Sequence, residues 1–277
     1  MIYIDRAIYG GKDVKEIVEK EIIKNSFFKI SNELFGDPDI GNKKSFTIEY
    51  TIEDDYFTDL LNEGDFFSFN KPKKNLAIYY TNNQDEDLIK LTLGQIEKSI
   101  NDCDVVICGK NEIKSSFYFV KSKINNQGHF SICSQILQCL LLGQKLNKNY
   151  KKVFFLEHDV LYPRLYFNFD SENNIDCNQN YIGLNKKGWQ VKEQNHQPLH
   201  QLVMDFSFAI NHFKNLHFKY LNNETELLEP QVKIINYNSK NPCVHINHGA
   251  NFTSHFSIYS DYTEEFNEYW GYHKGHY

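Results

Sequence analysis

The sequence predicts a mixed α/β protein, a mostly parallel sheet flanked by helices, with a small β-rich domain ahead of it. Two observations carry this. From Leu76 onward, short apolar runs alternate with stretches of helical spacing, the pattern of strand–helix–strand units with a parallel sheet. Before that, Phe46, Ile48, Tyr50 and Ile52 alternate with Thr47, Glu49 and Thr51, the period of a half-buried strand. The two patterns meet at Asn70 to Lys74, where Pro72 marks a linker. The expected domains are therefore residues 1–72 and 73–277.

In the first domain, Val14, Ile17, Val18 and Ile22 fall on one helical face, so a short amphipathic helix is expected there. Gly36-Asp37-Pro38 and Gly41-Asn42 are turn signals, and no cluster of catalytic residue types appears. In the second domain, Leu76 to Tyr80 is expected as a buried strand ending in Thr81-Asn82-Asn83. A helix follows from Asp85 to Asn101, with Ile89, Leu93, Ile96 and Ile100 on one face. Asp104 to Cys108 is a second strand. Ser131 to Asn147 is a helix that is apolar almost all round. Val153 to Leu156 is a third buried strand. Past Pro163 the periodicity weakens. Residues 167–177 read as loop, Asn180 to Leu184 as a strand, Pro198 to Phe213 as a helix, and Glu229 to Lys240 as a mixed segment.

Composition bounds the function. Of 277 residues, 41% are hydrophobic and 24% charged, ordinary for a globular protein. Thirty basic against 36 acidic residues give a net charge of −6, which argues against a surface-wide grip on nucleic acid but leaves a local basic groove open. None of the six cysteines forms a C-x-x-C pair, so zinc-ribbon spacing is absent and a reducing compartment is expected. Neither a secretory signal pattern nor a membrane-length apolar run is seen, so a cytoplasmic location is expected.

The third strand ends abruptly in Glu157-His158-Asp159, followed by Val160-Leu161-Tyr162-Pro163. In open α/β sheets, ligands collect at the carboxyl ends of strands. An acid–imidazole–acid cluster there offers oxygen and nitrogen ligands to a divalent ion. Taken alone, the stretch equally suits a polar strand end closed by Pro163. By alternation, His158 points away from its neighbours and packs beneath the site.

The strand order and this string resemble nucleotide-sugar glycosyltransferases of the GT-A fold, and in particular a bacterial and phage group with an E-H-D-V-L-Y-P motif. The matching pieces are Gly128-His129-Phe130-Ser131, Gln135-Ile136-Leu137, Leu156 to Pro163, Asn185 to Trp189, His248-Gly249-Ala250-Asn251-Phe252-Thr253 and Tyr269-Trp270-Gly271. The likeness covers about Asn75 to Gly271. The chain departs from that pattern at His245, where the group often has an acidic residue, and at Asn247, where it often has arginine. The first domain resembles a small β-rich module found at the C-terminus of some DnaJ-like proteins, on Ala7-Ile8-Tyr9-Gly10, Asp13-Val14, Asn32 to Pro38 and Lys43 to Tyr50; this implies an accessory or binding role and no reaction.

The resemblance implies a metal-dependent transfer of a sugar from a nucleotide diphosphate sugar. The acceptor stays open among a glycan, a lipid-linked sugar, a protein side chain and a hydroxymethylated base of phage DNA. If the chain is phage-encoded, the expected location is the host cytoplasm. A divalent ion, Mn2+ or Mg2+, would neutralise the leaving diphosphate. Asp159 is the first candidate ligand, Glu157 a direct or water-bridged one, and His248 a third from the late segment. Tyr80, Thr81 and Asn82 stand where such folds hold the nucleoside. Asn83 or Asp85 would cap the next helix. His129, Ser131 and Gln135 could reach the diphosphate or sugar, though Ser131 equally suits a helix cap. Trp189 suits either a wall for the sugar or core packing. Asn251 belongs to the late sugar-binding segment. Should the reaction invert, Asp205 is the candidate base, with His196 and His200 as rivals. Lys186, Lys187 and Lys192 would line a groove for a DNA acceptor. Two other classes remain: a non-catalytic carbohydrate- or nucleotide-binding protein, and a metal-dependent nucleotidyltransferase. No G-x-x-x-x-G-K-[ST] loop is present.

Overall fold

The computed structural model describes residues 2–24, 27–52, 55–68, 74–82, 85–124, 128–147, 149–185, 187–192, 197–247, 259–264 and 266–272. The chain divides into two compact units, Met1–Lys73 with Gln144–Lys148, and Lys74–Gly143 with Asn149–Tyr277.

The first unit is β-rich. Strands β1 (Ile2–Tyr9), β2 (Lys12–Asp13), β3 (Phe27–Lys29), β4 (Ser45–Ile52), β5 (Asp55–Asn62) and β6 (Phe66–Ser68) accompany helices α1 (Lys15–Lys24) and α2 (Asn32–Phe35). The antiparallel sheet runs β2-β1-β4-β5, and β3 pairs with β6. The alternation along β4 does what the sequence expects: Phe46, Ile48 and Tyr50 are buried, while Thr47, Glu49 and Thr51 are half-buried. Those inward residues join Phe28, Phe35 and Phe67 in a ring-rich core of this unit's own. The Gly36 turn has φ +78, a backbone region that favours glycine, and the amine of Lys12 bonds the Phe35 carbonyl beside it.

The second unit is built on a seven-stranded sheet. Its strands are β7 (Asn75–Tyr80), β8 (Cys103–Gly109), β9 (Tyr118–Lys121), β10 (Lys152–Glu157), β12 (Ile175–Asn178), β15 (Leu202–Asp205) and β16 (Ile235–Tyr237), in the order β16-β12-β15-β10-β7-β8-β9. The run β10-β7-β8-β9 is parallel throughout, β12 is parallel to β16, and only β15 lies antiparallel to its neighbours. Every residue of β7 is buried, as are Val153 to Leu156 of β10, because both faces are covered. Helix α3 (Glu86–Ser99) covers one face: its Ile89, Leu93 and Ile96 pack with Ala77, Tyr79, Val105, Ile107, Phe154 and Leu156. Helices α4 (His129–Leu146) and α5 (Phe206–Leu221) lie on the other. Phe155 of β10 meets Phe213 of α5, with ring centroids 5.6 Å apart. Gly143 of α4 comes so close to β7 that an added Cβ would lie 2.5 Å from a Leu76 methyl. The predicted α/β class, a mostly parallel sheet flanked by helices, is thus the observed one.

A second sheet follows the order β11-β17-β13-β14-β18, formed by β11 (Val160–Leu161), β13 (Tyr181–Asn185), β14 (Gly188–Lys192), β17 (Cys243–Ile246) and β18 (Tyr259–Glu264). A last hairpin pairs β19 (Phe266–Asn267) with β20 (Gly271–Tyr272). Among the described residues, no helix is long and apolar enough to cross a membrane.

Two segments differ from expectation. The helix expected over Pro198 to Phe213 is instead a 3-10 turn at Leu199–Gln201, then β15, then α5. Leu202, Val203 and Met204 fit helical spacing, but they also complete the ladder beside β10, and that pairing wins. The loop expected over 167–177 contains a 3-10 turn at Tyr166–Asn168 and the start of β12, whose Asp176 and Cys177 are buried by the neighbouring strands.

Candidate functional site

The parallel run places the ends of β7, β8, β9 and β10 at one edge of the sheet. Helix α4 returns antiparallel to the strands, so its first turn stands at that same edge. Glu157 is the last residue of β10 and pairs with Tyr80, the last of β7. On the other side, β15 runs antiparallel with Phe154 opposite Val203. His200 stands in the 3-10 turn Leu199–Gln201 that leads into β15, within reach of Glu157. Tyr80 and Glu157 form a cross-strand pair on the α4/α5 face, and the His200 side chain meets Glu157 from the turn before β15.

The contacts follow. The Tyr80 hydroxyl donates to Glu157 Oε1 at 2.7 Å. His200 Nδ1 lies 3.3 Å from Glu157 Oε2. The Glu157 amide donates to the Tyr162 hydroxyl, which also stands 3.3 Å from the His200 carbonyl. Burial pushes the Glu157 carboxyl up, but the His200 hydrogen bond and its charge outweigh that and hold it below the ordinary carboxylate range. Burial, reinforced by the Glu157 charge, raises the Tyr80 phenol well above its usual value, so it stays a donor.

Asp159 is positioned from the second sheet. Strand β11 pairs antiparallel with β17, setting His245 opposite Val160. The Ile246 amide donates to the Asp159 carbonyl at 2.7 Å. His245 Nε2 then lies 3.1 Å from Asp159 Oδ2, with both residues 7% exposed. Burial lowers the His245 pKa, yet the charge and hydrogen bond of Asp159 and the charge of Glu157 leave it raised overall. The His200 and His245 rings stand 5.1 Å apart. The strand end is thus two carboxylate–imidazole pairs side by side.

The other expected site residues divide into those near this cluster and those away from it. Thr81 is buried beyond Tyr80; its amide bonds the Cys108 carbonyl and its own carbonyl accepts from Gln135 Nε2 at 3.2 Å. Gln135 thereby has the partner a buried amide needs, and it ties α4 to the end of β7. Asn82 is half-buried beside them. Asp85 caps α3, accepting from the Leu88 amide at 2.9 Å; Asn83 lies outside the described residues. Ser131 is not a helix cap: α4 begins two residues earlier, and Ser131 is buried in its first turn, with His129 exposed. His158 sits half-buried in the turn between the two carboxylates. Trp189 is 6% exposed and packs with Leu88, Leu161, Leu184, Val244 and Ile246.

Asp205 is far from the cluster. It pairs with Lys152 at the opposite end of β10, five residues and about 17 Å from Glu157. There its carboxylate caps α5, accepting from the Phe208 amide at 2.9 Å. The structure therefore does not bring Asp205 together with Glu157 and Asp159. His248, Asn251, His196 and Lys186 lie outside the described residues, as does the side chain of Lys192; Lys187 is exposed.

The donor set bears on a metal. Two carboxylates in a strand-end turn are the oxygen donors a hard divalent ion takes. Among the described residues, however, no three His, Cys, Asp or Glu side chains are grouped to hold one. Both Glu157 oxygens and one Asp159 oxygen already face protein donors. The described residues fit a metal in kind but do not complete its coordination.

Neither a family model nor a curated protein matches the chain. Solved structures similar to it include the mannosyltransferase PcManGT from Pyrobaculum calidifontis in complex with GDP-Man and Mn2+, with 10% identity over 64% of this chain and a TM-score of 0.37. The match spans 57% of the mannosyltransferase's own length. The galactosyltransferase LgtC with donor and acceptor sugar analogs is similar at 11% identity over 56% of this chain and 66% of that one, with a TM-score of 0.33. A glycosyltransferase involved in glycosylation of the major capsid of PBCV-1 shows 9% identity over 61% and 91%, with a TM-score of 0.35. Likeness at these values does not extend to substrate or chemistry.

Proposed function

We propose that the chain is a glycosyltransferase of the GT-A kind, moving a sugar from a nucleotide diphosphate sugar to an acceptor. The observation that carries this reading is the placement of Glu157 and Asp159. They stand at the carboxyl end of a parallel strand, beside the end of β7 and the first turn of α4. In transfer, the acceptor oxygen forms a bond to the anomeric carbon. The bond from that carbon to the diphosphate breaks, and its electron pair leaves with the diphosphate. Tyr80, Thr81 and Asn82 would border the nucleoside. The amino end of α4, with His129 and Ser131, would face the diphosphate, where the helix dipole favours negative charge. A divalent ion held by Asp159 and Glu157, with His248 as a further ligand, would supply charge neutralisation at the leaving group. Trp189 and Asn251 remain candidates for the sugar side, and the whole would work in the cytoplasm. Acceptor classes are a glycan, a lipid-linked sugar or a modified base of phage DNA.

The test is a thermal-shift panel of UDP, GDP, CMP and dTDP sugars, each with and without manganese. Stabilisation by one nucleotide diphosphate sugar supports transfer, since a ligand of the folded state raises its stability. Asp159→Ala should then remove hydrolysis and transfer of that donor. If Asp159→Ala keeps full activity in EDTA, the metal role is wrong. Silence across the panel favours a non-catalytic binding protein, and silence there with stabilisation by separately added nucleoside triphosphates favours a nucleotidyltransferase.

A further inference from the structure

His200 holds an atom that the folded chain does not use. Its side chain is 7% exposed, and Nδ1 faces Glu157 Oε2 at 3.3 Å. The other ring nitrogen, Nε2, is buried and meets no hydrogen-bond partner. Leaving a buried polar atom unmatched costs about 1–3 kcal/mol, so such an atom calls for an explanation. The ring is also held firmly. Tyr181 meets it edge-on at 6.1 Å, His245 flanks it at 5.1 Å, and its backbone carbonyl faces the Tyr162 hydroxyl at 3.3 Å. At metal-binding histidines a carboxylate on one ring nitrogen fixes the tautomer and orients the other nitrogen, and Glu157 holds the His200 ring in the same manner.

The neighbours narrow the ligand's chemistry. Two carboxylates, Glu157 and Asp159, stand at this strand end and repel a bare anion. A phosphate or carboxylate oxygen is therefore a poor match for Nε2. Among the described residues, no three His, Cys, Asp or Glu side chains are grouped so as to hold a metal ion. A hydroxyl group both donates and accepts, so it satisfies Nε2 whichever protonation state the ring holds. It is neutral, so the carboxylates do not repel it, and they accept hydrogen bonds from its neighbours on a polyol. The Glu157 side chain beside it is 27% exposed, at the sheet edge where the ligand would lie.

We propose that His200 Nε2 binds a hydroxyl of the donor's sugar, making His200 a residue of the sugar subsite. This rests on the glycosyltransferase reading above and deepens it. Glu157 then also orients His200, through the oxygen that does not face Tyr80.

The test uses the full chain and whichever nucleotide sugar of the panel binds, with the matching sugar-free nucleoside diphosphate as control. His200→Phe keeps a ring in the same space and removes Nε2. The expected result is that affinity for the nucleotide sugar falls about tenfold, roughly one hydrogen bond. Affinity for the sugar-free nucleotide should stay within about twofold. Should His200→Phe fail to fold, 15N spectra of the histidine side chains in the native protein give the same answer. With His200 assigned through His200→Asn, its Nε2 resonance should move on adding the nucleotide sugar and stay still with the sugar-free nucleotide. Equal losses for the two ligands, or an Nε2 resonance indifferent to the sugar, overturn the inference while leaving the glycosyltransferase reading intact. Loss of transfer with unchanged nucleotide-sugar affinity also overturns it. Binding by no member of the panel overturns both.

Discussion

At the scale of single residues, His212 gives the clearest pH signature outside the candidate site. Its Nε2 lies 2.9 Å from the Leu228 carbonyl, which only accepts, so that nitrogen carries the proton. Burial lowers the His212 pKa, and the Leu228 bond and nearby Glu226 only partly offset it. The folded chain therefore binds this proton less readily than the unfolded chain. The neutral ring's stabilising effect is complete above the unfolded pKa and is lost as pH falls toward the depressed folded value. His212→Gln keeps a donor for Leu228 without a titrating ring. Urea midpoints of native protein and variant should converge as pH falls from about 7.5 to about 5.5; a constant gap would show that His212 does not titrate as its burial implies. Tyr80→Phe probes the strand end. It removes the hydrogen bond to a charged Glu157 and should cost about 1.5–3 kcal/mol, toward the low end because Glu157 is partly exposed.

At the scale of elements, Asp205 separates structure from chemistry. As the cap of α5 it satisfies one of the helix's free amides. Asp205→Ala should lower stability by about 1 kcal/mol in urea denaturation and leave donor turnover unchanged. A loss of turnover in a folded variant would restore Asp205 to the chemistry. The same residue shows what sequence can and cannot convey. The parallel strands were legible because a strand buried on both faces is an unbroken apolar run, and Val153 to Leu156 is one. Glu157 and Asp159 were legible because charge interrupts that run. Their partners were not, since His200 and His245 reach them through tertiary contacts. One comes from the 3-10 turn that precedes β15, the other from β17 beside β11, and no local pattern encodes either contact. The antiparallel β15 hid for the same reason. Its apolar residues fit a helix until a neighbouring strand supplies the ladder.

At the scale of the whole molecule, the chain carries separate cores. Phe46, Phe28, Phe35 and Phe67 pack among themselves in the first unit, with Phe35 and Phe46 stacked at 5.3 Å. Tyr79, Phe154, Leu156 and Tyr166 belong to a different cluster in the second. Each unit thus buries enough apolar surface around its own centre to unfold as a cooperative body. Phe46 is fully buried, and truncating a core phenylalanine removes its transfer energy and leaves a cavity, about 3–5 kcal/mol together. For a unit of this size that shifts the midpoint by well over about 10 °C. Calorimetry of the full chain should therefore resolve two transitions, and Phe46→Ala should lower one and leave the other in place. The transition that stays should be the one that a bound nucleotide sugar raises, because Glu157, Asp159, His200 and His245 all lie in the second unit. A single transition that moves as a whole would mean that the two cores unfold as one.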